Sequence, residues 1–250
     1  VGGWLSLVIA VAGVAAWEWG ARAGAVDALL FPEPSFIAET MGRLVGDGSL
    51  ISDFLATLRR MAWGVLIGGG AGLLLGLAMG RWRPLRSVVD PFVAATHPLP
   101  KIALLPLIMV VLGIGDASRV AIIAGGAFFP LLINTMSGVD QINSIHYDVA
   151  HNYRAGPLKV FRRVVLPGAS PSIVAGMRLA LNTALLLTIA VEMISARDGL
   201  GGMVWMAWTT LRVEEIYVAV LVTVLLGLAI NGLLALLSQL LLPWQVGRAR

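Results

Sequence analysis

The chain has no cysteine, which excludes disulfides, thiolate metal ligands and cysteine nucleophiles together. It is also poor in charge: 13% of its 250 residues are Asp, Glu, Lys or Arg, against about 25% in a soluble domain. Lysine occurs only at Lys101 and Lys159, and neither stands in a G-x-x-x-x-G-K-[ST] phosphate loop. H-E-x-x-H and G-x-S-x-G are missing as well. His146 and His151 lie five residues apart, off a shared helix face, so they read as solvated loop histidines rather than a metal pair. No catalytic residue and no metal ligand is therefore assigned. The formal charge of +4 rests on 18 Lys and Arg in short clusters between apolar runs, a topology signal rather than a nucleic-acid footprint.

What is present is apolar: 58% of the residues are hydrophobic, and 29 more are glycine. A bilayer core about 30 Å thick needs roughly 20 apolar residues at 1.5 Å rise. Six spans are expected, at about 4–20, 61–80, 91–115, 120–139, 171–195 and 216–242, in one all-α polytopic membrane domain over residues 1–250. A cleaved signal peptide is the alternative for the first run, but no A-x-A site follows a basic segment there. Nine basic residues (Arg81, Arg83, Arg86, Arg154, Lys159, Arg162, Arg163, Arg248 and Arg250) fall on one side of these spans. The positive-inside rule then puts both termini in the cytoplasm, with 140–170 as the longest cytoplasmic loop. On the opposite side, Ser35 is expected to N-cap a short amphipathic helix through about Val45. Gly199, Gly201 and Gly202, followed by Trp205 and Trp208, suit an interfacial or re-entrant helix.

Within the spans, Gly64, Gly68, Gly72, Gly76 and Gly80 form a row at i+4 spacing. In lipid such a row lets another backbone approach closely, although each step of four residues drifts about 40° around an α-helix. Pro98, Pro100 and Pro106 are expected to break the third span, and Pro130 to do the same in the fourth. His97, Lys101, Asn134, Asn182 and Glu192 are the polar candidates for a translocation pathway, against the alternative that Lys101 and Glu192 snorkel or form structural ion pairs. In the cytoplasmic loop, a helix from about Ser144 is expected to stop near Gly156-Pro157. A second amphipathic stretch runs to Leu166-Pro167 before Pro171 opens the fifth span. A short helix held out between two spans is shaped to dock into a groove on a soluble partner, although composition alone favours an ordinary basic loop.

The loop resembles the EAA loop of permease subunits of ATP-binding cassette importers. That pattern has Glu-Ala-Ala at its start, Gly at the seventh position, an aliphatic residue at the seventeenth and Leu-Pro at the end. Here Asp148, Val149 and Ala150 stand at the opening, Arg154 at the glycine position with Gly156 two residues later, Val164 at the seventeenth, and Leu166-Pro167 at the end. FPEPSFIAE at 31–39, RWRPLRSVVDP at 81–91, PLPKIALLPL at 98–107, LGIGDASR at 112–119, GAFFPLLINT at 126–135 and EMISARDGLGG at 192–202 look like the nitrate/sulfonate/taurine/bicarbonate branch of these permeases. The resemblance implies the type I importer-permease fold and a multi-pass subunit of the bacterial inner membrane. It implies a second permease copy (a homodimer), two ATPase subunits and an external substrate-binding protein. ATP and Mg would sit on the ATPase partner, and this chain would carry no cofactor. Coupling is expected through Asp148, Val149, Ala150, Tyr153, Arg154, Gly156, Leu166 and Pro167. A self-contained secondary transporter or channel is the alternative function.

Overall fold

The computed structural model describes residues 2–27 and 29–241. Arg248, Arg250 and the last residue of the sixth expected span lie outside the described residues. Among those described, every regular element is helical. In chain order these are α1 (Gly2–Arg22), α2 (Pro34–Gly46), α3 (Ser49–Gly64), α4 (Gly70–Arg81), α5 (Arg83–Thr96), α6 (Leu105–Leu112) and α7 (Asp116–Asp140). They continue with α8 (Ser144–Asn152), α9 (Pro157–Val160), α10 (Leu166–Ser195), α11 (Leu200–Thr209) and α12 (Val213–Leu241). π-helical turns at Val65–Gly69 and Phe161–Val165 join α3 to α4 and α9 to α10 without interruption.

Among the described residues five stretches are long and apolar enough to cross a bilayer: Trp4–Arg22, Ser49–Arg81, Asp116–Asp140, Pro157–Ser195 and Val213–Gln239. The pair Arg83–Thr96 and Lys101–Leu112, bent by 88°, meets the same test together, as a broken span or a re-entrant segment. The second and fifth helices run well beyond the apolar stretches at 61–80 and 171–195. Their extra turns carry Asp53, Thr57, Arg59 and Arg60 in one case and Lys159, Arg162 and Arg163 in the other. Helicity there follows from tertiary partners and solvent, which an apolarity count does not see. The prolines differ in effect. Pro98 and Pro100 occupy the break and Pro106 lies in the first turn of α6, whereas Pro130 stays inside an unbroken α7. One missing donor in a 25-residue helix leaves the remaining ladder to carry it.

The chain forms two compact units, one made of the chain up to Leu58 with Glu192–Leu225, the other of Arg59–Val191 with the chain from Leu226 onward. In the second unit, α4 and its π-turn lie along α7 through the glycine row. A Cβ on Gly64 would come within 2.7 Å of the Ile123 Cβ, on Gly68 within 2.6 Å of the Ala124 Cα, on Gly76 within 2.6 Å of the Leu132 carbonyl oxygen, and on Gly80 within 2.6 Å of the Val139 Cβ. Gly72 faces the Phe128 carbonyl in the same way. The row therefore keeps contact with α7 along its whole length. The π-turn at Val65–Gly69 offsets the drift of the first step only, and from Gly68 to Gly80 the α7 carbonyls that the glycines meet, at Ala124, Phe128, Leu132 and Met136, are themselves four residues apart, so the two i+4 rows track each other. With no hydrophobic driving force between helices in lipid, such backbone proximity is what dispersion can exploit. Around this seam Met79, Val93, Leu132 and Met136 form one buried cluster, and Leu105, Ile122, Leu187 and Val191 another.

In the first unit, α2 is held by α1. The Glu18 carboxylate accepts from the Ser35 amide at 3.0 Å and from its hydroxyl at 2.8 Å, and Arg22 pairs with Glu18 at 2.6 Å. Ser35 is thus not the N-cap. Glu33 holds that position, Pro34 begins the helix, and the orphan amide of the first turn is satisfied by a carboxylate from another helix. Trp17 and Tyr217 stack at 5.4 Å, and the Tyr217 hydroxyl donates to the Leu30 carbonyl at 3.1 Å.

Candidate functional site

The loop after α7 begins with Asn143, whose side-chain oxygen accepts from the Ile145 amide at 3.0 Å and so caps α8. The helix ends where its sequence gives least reason to. Arg154 adopts φ +49°, the left-handed conformation usually left to glycine. Its amide donates to the His151 carbonyl at 2.8 Å, and the Ala155 amide reaches back to the Ala150 carbonyl at 2.9 Å, completing a Schellman cap. Gly156 is extended instead, φ −65° and ψ 161°, and serves as the N-cap of α9 with Pro157 behind it. The stop therefore falls two residues before Gly156, at the position where the EAA pattern carries glycine.

The loop is anchored at several points. Arg81, at the end of α4, sits 5.8 Å over the Tyr147 ring, and Arg86 pairs with Asp140. Burial raises the Tyr147 phenol above its usual range, and Asp140 adds to that rise against the opposing pull of Arg81. Val165 is buried against Val139 and Ala169, with Ile142, Tyr147 and Val160 packed around them. On the outside, Ile145, Val149 and Tyr153 repeat at i, i+4, i+8 with 61%, 48% and 82% exposure, which is one apolar stripe turned outward. Beside it lies a cavity of about 740 Å³ lined by Val149, Tyr153, Lys159, Arg163, Val164 and Pro167. Of the residues expected to couple, Val149, Ala150, Tyr153 and Pro167 line this cavity. Asp148 lines an adjacent hollow with Arg81 and His151. Leu166 is exposed at the start of α10. Asn143, Tyr147 and Arg81 were missed; the Asn-Ser pair at 143–144 was the one legible signal, a helix start.

The pathway candidates disperse. Glu192, fully buried, accepts from the Thr57 hydroxyl at 2.8 Å and the Gly201 amide at 3.1 Å. The Leu200 amide donates to the Thr57 hydroxyl at 2.8 Å, and the Gly199 amide to Asp53 at 2.8 Å. Gly199 has φ +94°, and a Cβ there would meet the Glu192 carboxylate at 2.5 Å, so this turn requires glycine on both counts. Glu192 thereby holds the first turn of α11. Asn134 bonds the Pro130 carbonyl at 2.8 Å within its own helix, and Asn182 accepts from Asn231 at 2.9 Å. His97 and Lys101 share the break between α5 and α6, where Lys101 donates to the His97 carbonyl and lies 4.7 Å from the Phe129 centroid. Among the described residues no cluster of three metal-ligating side chains occurs.

Multiple apolar helices, a bent helix pair and an anchored loop with an outward apolar stripe define a helical multi-pass membrane protein. Over residues 68–246 the chain matches the family of binding-protein-dependent transport system inner membrane components, and it belongs to that family. It is 31% identical over 233 residues to the putative aliphatic sulfonates transport permease protein SsuC of Escherichia coli, covering 92% of this chain and 88% of the relative. To the taurine transport system permease protein TauC of Escherichia coli it is 28% identical, covering 91% and 85%. To the nitrate import permease protein NrtB of Leptolyngbya laminosa it is 28% identical, covering 79% and 71%. The chain is thus a permease of the sulfonate, taurine and nitrate type of ATP-binding cassette transporter.

Proposed function

We propose that the chain is the non-enzymatic, membrane-spanning subunit of an ATP-driven, binding-protein-dependent importer of a small anionic solute. Two copies would form the translocation unit in the bacterial inner membrane, with both termini in the cytoplasm. Two ATPase subunits would bind the α8 side, and a substrate-binding protein would deliver from outside. ATP and Mg belong to the ATPase subunits.

The observation that carries this reading is the continuity of helix from the loop into the fifth span. Pro157–Ser195 runs for 39 residues, about 58 Å at 1.5 Å per residue. The loop packs on its cytoplasmic end through Val160 and Val165. A push on the Ile145, Val149 and Tyr153 stripe therefore acts on a rigid lever that ends inside the membrane. The basic residues Lys159 and Arg163 beside the cavity favour an acidic rim on the partner.

Val149→Asp combined with Tyr153→Ala tests it, since both side chains are exposed and the fold does not need them. The expected result is a folded subunit that no longer copurifies with its ATPase and no longer supports ATP-dependent uptake. Undiminished association with the ATPase would refute the docking face. Uptake by the isolated subunit, with no ATPase present, would favour a self-contained secondary transporter.

A further inference from the structure

Lys101 stands where a lysine is costly. It opens the 3-10 turn that follows the break after α5, and its ammonium lies over the Phe129 ring. Phe129 is thirteen residues from Asp116 and eleven from Asp140, the two ends of α7. Phe129 is therefore roughly 17–20 Å along the axis from either end of a membrane-spanning helix, and the ammonium beside its ring lies near the middle of that helix, a depth from which a lysine side chain does not snorkel to the surface. Its polar partner is the His97 carbonyl, and among the described residues no carboxylate pairs with it. A cation in that position faces water, a counter-charge, or a large penalty.

The backbone makes the same demand. The helix ends at His97 and residues 98–100 leave helical geometry, and all of 94–100 are exposed. Non-helical backbone at membrane depth is tolerated only against protein or a water-filled cavity. The walls nearby are aromatic: the His97 and Phe129 rings meet at 5.3 Å and Phe128 meets Phe129 at 5.1 Å, both edge to face. Aromatic edges and faces accept apolar groups, while the lysine, bonded to the His97 carbonyl, supplies charge without an internal counter-charge among the described residues.

We propose that Lys101 is the solute-contacting cation of a water-filled path at mid-membrane, holding a singly charged oxyanion head group while Phe129 and His97 flank the remainder of the solute. The proposal rests on the transport reading above and adds to it the residue that makes contact and the charge it selects.

The absence of cysteine makes a direct test possible. A Cβ on Gly125 would find only the Lys101 Cγ, at 4.0 Å, so Gly125→Cys places one thiol beside the lysine without a clash. The full chain, copurified with its ATPase and placed in vesicles, is reacted with 2-sulfonatoethyl methanethiosulfonate and with its trimethylammonium counterpart. Each rate is normalised to the reagent's rate with a free thiol. With Lys101 intact, the sulfonate is expected to react at least ~10-fold faster than the cation, as focusing of anions by an uncompensated positive charge requires. Lys101→Gln keeps a donor for the His97 carbonyl but removes the charge, and is expected to abolish the preference; Lys101→Arg is expected to retain it. An unreactive thiol, or a preference unchanged in Lys101→Gln, overturns the proposal. Copurification of the ATPase is scored separately, so failure of the transport reading shows there and failure of this proposal shows in the labelling ratio.

Discussion

Gly68→Ala is the sharpest test of the packing argument. The added methyl would sit 2.6 Å from the Ala124 Cα and closer still to its carbonyl oxygen, both backbone atoms of α7. Ordinary contact begins near 3.4 Å and the Ala124 carbonyl oxygen would lie at 1.9 Å, so the two helices must part by about 1.5 Å at this point. A gap of 0.5–1 Å already forfeits about a quarter to a half of each contact's attraction, and here the seam runs the length of α4. Overpacking of this kind costs about 1–3 kcal/mol, and backbone on both sides puts Gly68 at the upper end. For a chain of this size that corresponds to roughly 6–12 °C in melting temperature. Gly70→Ala is the control: two residues on, its Cβ meets nothing within 4 Å, and the change is expected to be neutral or to gain up to ~1 kcal/mol of helix propensity. Thermal unfolding of the two variants in detergent, followed by the loss of monodisperse protein, reads both. Equal melting temperatures would refute the claim that backbone proximity, rather than side-chain burial, holds α4 to α7.

Other outcomes follow from single residues. Arg154→Gly is expected to stabilise the loop by about 1 kcal/mol by relieving the left-handed strain, and Arg154→Val to destabilise it; proteolysis of the loop measures both. Glu192→Ala leaves the Thr57 hydroxyl and the Gly201 amide without that acceptor, at a cost of about 3 kcal/mol or more. Glu192→Gln keeps one acceptor oxygen and is expected to cost less, as melting temperatures will show. Tyr147 is held neutral by burial, so the stability it contributes is present below the unfolded phenol's pKa of about 10 and is lost as pH rises through the higher folded value. Tyrosinate difference spectra of wild type against Tyr147→Phe are expected to show the Tyr147 signal above that pH; a signal at or below it would contradict the burial.

The apolar stretches, the broken third span and a helix beginning at Ser144 were legible in order and composition because each depends on local sequence. The glycine row was legible as a packing element, but its partner, the matching i+4 row of carbonyls on α7, is not revealed by the spacing of the glycines. Ser35 looked like a cap by its residue type, yet the cap came from Glu18, 17 positions away. Gly156 looked like the helix stop, yet the left-handed residue is Arg154, held by the two Schellman hydrogen bonds of its own and the Ala155 amide against its intrinsic preference.

Hydrophobic length and charge distribution, properties of the chain read one segment at a time, were enough to establish a helical membrane protein with an exposed basic loop. Which carboxylate closes which turn, which helix the glycines touch, and that Lys101 lies over an aromatic ring near the middle of α7 were decided only by the tertiary structure. The reason is that each of these is a relation between segments far apart in sequence, set by close packing and by the need of buried polar groups for partners, and no local pattern encodes that partner.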